Sequence, residues 1–274
     1  GTVAGEYTCT GTVPAAAMVG ISDVEPELFT ISDNNEAGVQ INLNAPRKVN
    51  TVNAQTFGVV ASPGLRDALQ AAQGLSVGSD EVQDMPSMSS DLIANLFSGK
   101  VANWSQLRDA AGLGIDASAG LSNGAVNICV RTPGSGTQAQ FNAYYLGNPC
   151  NYRGAGDYGY VGFSTAVDSD GVENNSSVPL IGGLFPAPGP HIHKNEGSSD
   201  MGKCVTNVSA DGRWALGVQS LEKVDEGRTD RNNFKYLAID GVAPTLENVQ
   251  AGLYQNWASM TIQWRTDVVT PGSD

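Results

Sequence analysis

Arg131-Thr132-Pro133-Gly134-Ser135-Gly136-Thr137 is the stretch of this sequence with the clearest capacity for chemistry. It follows a β-prone run, Ala125-Val126-Asn127-Ile128-Cys129-Val130, and precedes residues 138–146, whose spacing predicts a helix. A helix starting here presents backbone N–H groups and the positive end of its dipole. Gly134 and Gly136 allow close backbone approach, and Ser135 and Thr137 add hydroxyls. Arg131 supplies a planar fork that matches a tetrahedral oxyanion. The same letters also serve as an ordinary N-cap, which is the competing reading. A second polar stop lies far upstream, where the apolar run from Val13 ends in Ser22-Asp23. It reads as a buried strand delivering a hydroxyl and a carboxylate at its C-terminal end.

Other chemistry-bearing groups are weaker. His191-Ile192-His193 would set two imidazoles on one side of an extended segment, with Glu196 as a third metal ligand. These are the chain's 2 histidines, and an exposed loop pair is the simpler reading. Asp168-Ser169-Asp170-Gly171-Val172-Glu173 opens like a calcium loop but lacks the closing Glu, which favours a solvated acidic turn. No Gly-x-Ser-x-Gly elbow precedes a helix, so a Ser-His-Asp hydrolase is not indicated. A phosphohydrolase would need a metal cluster or an activated nucleophile, and neither is legible. Trp104, Trp214, Trp257 and Trp264 read as core or interface residues. No cofactor is expected.

The elements that would position these residues alternate. Residues 56–61 form a short buried strand closed by Ser62-Pro63-Gly64, and residues 64–72 have helical spacing. Residues 89–97, opening Ser89-Ser90-Asp91, offer an N-cap and an amphipathic helix that Ser98-Gly99 ends. Residues 147–200, rich in Gly, Asn, Asp, Pro and Ser, read as an irregular flap. A helix over 201–208, strands over 214–218 and 234–239, a helix over 245–253 and a strand over 259–264 follow. Strands alternating with helices indicate an α/β fold. With 274 residues the chain can build one large domain or two lobes. Its net charge of −13 excludes a general nucleic-acid partner, which needs a basic footprint. No apolar run approaches the roughly 20 residues of a membrane span.

In this order, four pieces of the chain resemble the phosphate-binding periplasmic proteins of ABC transporters, within the type II substrate-binding protein superfamily. They are Val19-Gly20-Ile21-Ser22-Asp23, the run from Asp91 through Gly99-Lys100-Val101-Ala102-Asn103-Trp104, Val130 to Thr137, and Ile239-Asp240-Gly241-Val242-Ala243-Pro244-Thr245. The resemblance implies a two-lobed clamshell that closes on phosphate or a similar oxyanion without chemistry, so not an enzyme, and hands it to an ABC permease. It carries the ligand contacts to Asp23, Arg131, Ser135, Gly136 and Thr137, with Ser22 as a neighbouring candidate. A carboxylate in such a site accepts a proton only from a protonated oxyanion, so Asp23 would favour hydrogen phosphate over sulfate. Pairing with Arg131 would also lower the cost of burying either charge.

Residues 1–62 and 256–274 are expected to form the smaller lobe and residues 63–255 the larger, with Val19 and Ile128 in separate sheets. The smaller lobe is expected to be incomplete, since the family's opening strand and Gly-rich turn and its closing helix have no counterpart. From this comes an alternative function: an extracellular, filament-like assembly protein whose smaller lobe is completed by further copies of itself. Four widely spaced cysteines, Cys9, Cys129, Cys150 and Cys204, form no CxxC and suit an oxidising compartment. Cys129–Cys150 is the expected local bridge and Cys9–Cys204 the remaining pair, with four buried thiols as the alternative. The chain reads as periplasmic or secreted, its signal peptide already removed.

Overall fold

A computed structural model describes residues 17–30, 34–35, 38–121, 124–147, 190–227 and 232–267. The fold is mixed α/β. The strands are β1 (Val19–Ser22), β2 (Arg47–Ala61), β3 (Ser87–Met88), β4 (Asn127–Arg131), β5 (His191–Asn195), β6 (Ala215–Ser220), β7 (Lys235–Tyr236), β8 (Ala238–Ile239) and β9 (Trp257–Arg265). The helices between them are α1 (Pro63–Ala72), α2 (Ser90–Phe97), α3 (Ile115–Ser118), α4 (Gly136–Leu146), α5 (Ser198–Ala210) and α6 (Leu246–Gln250). Several starts are written locally. Pro63 opens α1, while Ser89 and Thr245 accept the N–H groups of Leu92 and Asn248. Asp240-Gly241 turns the chain with φ of 50° and 80°, and the Asp240 carboxylate accepts the N–H of Ser90 at the start of α2.

One long strand organises the sheet. β2 pairs antiparallel with β9 over Arg47 to Thr56, then with β6 over Phe57 to Ala61. The order is β1-β9-β2-β6-β4-β5, with β4 parallel to both β5 and β6. Hydrogen bonding therefore runs unbroken from Val19 to Ile128, which corrects the expectation of separate sheets. The cause is the length of β2, which continues through the point where its pairing partner changes.

Burial divides the sheet at that same point. Val59, Val60, Leu65, Ile93, Trp104, Ile128, Leu216 and Phe234 belong to one core between the second half of β2, β4, β6 and the helices. The ribbon of β1, β9 and the first half of β2 carries no comparable cover among the described residues. Val19, Ile21, Val49 and Val52 are exposed on it. Expected as a buried strand, β1 is instead exposed, because among the described residues β9 is its one strand partner. A small satellite cluster of Val24, Phe57 and Ala258 anchors the chain just after β1.

Three further expectations are corrected. Residues 190–200 are ordered rather than loose: β5 adds a parallel strand beside β4, and α5 starts at Ser198. The single strand expected over 234–239 is two, since the chain leaves β2 at the buried Leu237 and pairs next with β3. The disulfide joins Cys129 to Cys204, not to Cys150, because α5 packs on β4 and brings the two buried sulfurs together. Cys9, Cys150 and the acidic turn at 168–173 lie outside the described residues.

Candidate functional site

The site is built where β1 and β4 end. After β4, Gly134 takes a φ of 91° and donates its N–H to Asn34 O at 2.7 Å, turning the chain toward α4. Ser135 caps that helix, its Oγ accepting the Gln138 N–H at 3.4 Å. Gly136 and Thr137 open the helix, both buried, with N–H groups that have no intrahelical acceptor. At the other end, Ser22 Oγ accepts the Val24 N–H at 3.4 Å. The buried Val24 side chain then pins the turn, leaving Asp23 between two anchored neighbours.

That turn lays Asp23 directly on α4. A Cβ at residue 136 would overlap Asp23 Oδ1, so the glycine is required by a residue more than a hundred positions away. Burial raises the Asp23 pKa above the ordinary carboxylate range; the field of Arg131 works against the rise, and that of Glu222 adds to it. Burial in turn lowers the Arg131 pKa, against the fields of Asp23 and Asp200. Asp23 and Gly136 thus come into contact within the field of Arg131, but the expected pairing of Asp23 with Arg131 is not made: the guanidinium donates to Asn195, Ser198 and Glu196 instead. Ser22 and Ser135 also arrive, but their hydroxyls accept local backbone N–H groups. The Thr137 side chain is only 3% exposed within the first turn of α4.

Arg131 is held from the side of α5. Its Nε donates to Asn195 O at 3.3 Å, Nη1 to Ser198 Oγ at 2.9 Å and Nη2 to Glu196 O at 2.6 Å. A guanidinium carries five N–H donors, so one remains on each terminal nitrogen without an acceptor among the described residues. The fork is fixed in place and still has two donors for an anion.

Buried amides tie this centre to the first segment of the chain. Gln138 Oε1 accepts the Arg131 N–H at 3.0 Å, and its Nε2 donates to Asn142 Oδ1 at 3.1 Å. Asn142 Nδ2 donates to Asn34 Oδ1 at 2.8 Å, and Asn34 Nδ2 to Leu28 O at 2.6 Å. Sequence reasoning missed these residues, and also Asn195, Ser198 and Gln219. A signal was present: Asn195-Glu196-Gly197-Ser198 repeats the strand, glycine, serine, helix order of the 131–137 motif.

The histidines take a different place from the expected exposed loop. His193 is buried in β5, with Nε2 3.3 Å from Asn127 Oδ1, because the segment is a sheet strand beside β4. Among the described residues no three His, Cys, Asp or Glu side chains are grouped to hold a metal. None of the described helices is long and apolar enough to cross a membrane.

No protein-family profile matches the chain, and no curated protein does. Solved structures do. The chain is similar to a phosphate ABC transporter substrate-binding protein with bound phosphate from Clostridium perfringens, at 15% identity over 82% of this chain and 61% of that one, with a TM-score of 0.45. It is similar to an ABC-type phosphate transport receptor from Vibrio cholerae at 13% identity, over 92% of this chain and 69% of that one, with a TM-score of 0.44. An ancestral soluble variant of the human phosphate-binding protein aligns at 14% identity over 93% of this chain and 68% of that one, with a TM-score of 0.49. The chain thus spans about three-fifths of the length of the Clostridium perfringens protein.

Proposed function

We propose that this chain is an extracytoplasmic solute-binding protein that takes phosphate or a similar oxyanion and transforms nothing, delivering its ligand to an ABC permease. The observation that carries the reading is the meeting of Asp23 with Gly136 in the field of Arg131. Two Arg131 N–H groups and the first N–H groups of α4 would bind anionic oxygens. The Asp23 carboxylate, an acceptor only, would take the proton of a hydrogen phosphate and repel a fully ionised sulfate. The helix-covered part and the ribbon, which share β2, would serve as the two lobes around this point.

Calorimetry with phosphate, arsenate and sulfate tests the reading. Wild-type protein should bind phosphate and arsenate, and Arg131→Ala should weaken both by about 2–5 kcal/mol through loss of the fixed cation. Asp23→Asn should relax discrimination, because an amide donates to an ionised oxygen. Absence of binding to all three anions at millimolar concentration would end it.

A further inference from the structure

Two side-chain carbonyls beside Arg131 are buried without a donor. Asn195 and Gln219 are both 0% exposed, and neither Asn195 Oδ1 nor Gln219 Oε1 receives a hydrogen bond. Their amide nitrogens are engaged, which fixes the orientation of each group. Asn195 Nδ2 donates to Val130 O and His193 O, each at 3.1 Å, and Gln219 Nε2 donates to Ser198 O at 2.7 Å.

Both residues belong to the surroundings of the guanidinium. Asn195 is the register partner of Arg131 on β5. On the other side, β4 and β6 pair in parallel with Cys129 opposite Gly217, and continuing that register brings Gln219 level with Arg131. Ser198 joins the two directly, its Oγ taking Arg131 Nη1 and its carbonyl taking Gln219 Nε2. Arg131, a fixed cation with two uncommitted donors, is therefore flanked in register by two residues whose side-chain oxygens are buried without a donor. Burying an acceptor without a donor is unfavourable, so the pattern is complementary to a ligand that brings both negative oxygens and an O–H.

We infer that Gln219, with Asn195, is a specificity-determining residue of the oxyanion site, its side-chain oxygen accepting a hydrogen bond from the hydroxyl of a protonated oxyanion. The inference rests on the oxyanion reading and adds a second proton acceptor to it, besides Asp23, so that the two hydroxyls of a dihydrogen oxyanion are each received. Neither residue belongs to the motifs through which the sequence suggested the site. The same chemistry would exclude sulfate, which carries no proton at neutral pH.

Two substitutions separate this role from a structural one. Gln219→Met keeps length and burial but removes the acceptor, while Gln219→Glu keeps an acceptor and removes the donor to Ser198. Thermal melts establish that each variant folds, and calorimetry then compares phosphate, arsenate and sulfate. Gln219→Met should lower the phosphate-over-sulfate affinity ratio about tenfold, arsenate following phosphate, whereas Gln219→Glu, an acceptor whose charge also repels ionised sulfate, should leave the ratio at or above that of wild type. A ratio unchanged in Gln219→Met, with all affinities falling together, would show that Gln219 only supports the Ser198 end of α5, and would overturn the inference. A buried water satisfying the carbonyl would also leave the ratio unchanged. If wild-type protein binds none of the anions, the oxyanion reading itself fails, an outcome distinct from an unchanged ratio.

Discussion

At the scale of single residues, the site depends on a carboxylate placed where burial disfavours its charge. Asp23 has a folded-state pKa raised above 3.8, chiefly by burial. The folded state therefore holds the proton more tightly than the unfolded chain does. Its contribution to stability is fully present below about pH 4 and is lost as pH rises through the raised value. Asp23→Asn removes that proton linkage. Melting temperatures of the two proteins should diverge as pH is raised from about 3 to 7, the wild type losing more stability over that interval. Parallel profiles would mean that Asp23 titrates as an ordinary exposed carboxylate. Gly136 belongs to the same scale. In the sequence it looks like a helix-start glycine, but its lack of a side chain is needed by Asp23.

At the scale of elements, α5 is the piece that completes the larger part of the molecule. It presents Ser198 to Arg131 and Gln219, and it is stapled to β4 through Cys129–Cys204, 75 residues apart. In the chain-entropy account, a loop of that length is worth about 4–5 kcal/mol, more than the bridge expected between Cys129 and Cys150. Cys204→Ala should lower the denaturation free energy by about that amount. An unaltered denaturant midpoint would mean that the staple does not constrain the unfolded chain. On the proposed reading, oxyanion affinity should fall too, because the helix whose Ser198 holds Arg131 loses its tether to β4.

At the scale of the whole molecule, β2 crosses from uncovered ribbon to core within a single strand. Its first half lies among exposed residues such as Val49 and Val52, while Val59 and Val60 are fully buried. Opening the ribbon exposes little additional apolar surface, and opening the second half exposes the core. Native-state hydrogen exchange should therefore find low opening free energies for residues 47–55. Residues 57–61, 127–131 and 215–218 should exchange only near global unfolding. Equal protection along all of β2 would show that the ribbon is covered in solution.

The local signals were legible in the sequence wherever one short stretch decides the outcome. Residues 89–97 hold a cap and an amphipathic helix, Ser135 caps α4, Pro63 opens α1, and Ser98-Gly99 closes α2, whereas the helix expected over 245–253 is shorter, with Thr245 as its cap. Residues 131–137 read as a strand end, turn and helix start, and they are that. Tertiary structure decided what depends on distant partners. The Cys129–Cys204 pairing follows from the packing of α5 on β4, which no spacing records. β5 escaped notice because its polar His191, Lys194 and Asn195 do not look like a sheet strand, and only pairing with β4 makes it one. β1 looked like a buried strand because its letters are apolar, yet its burial depends on neighbours that its own sequence does not contain. Asn195 and Gln219 reach Arg131 for the same reason: parallel strands set in register bring together residues that are remote along the chain.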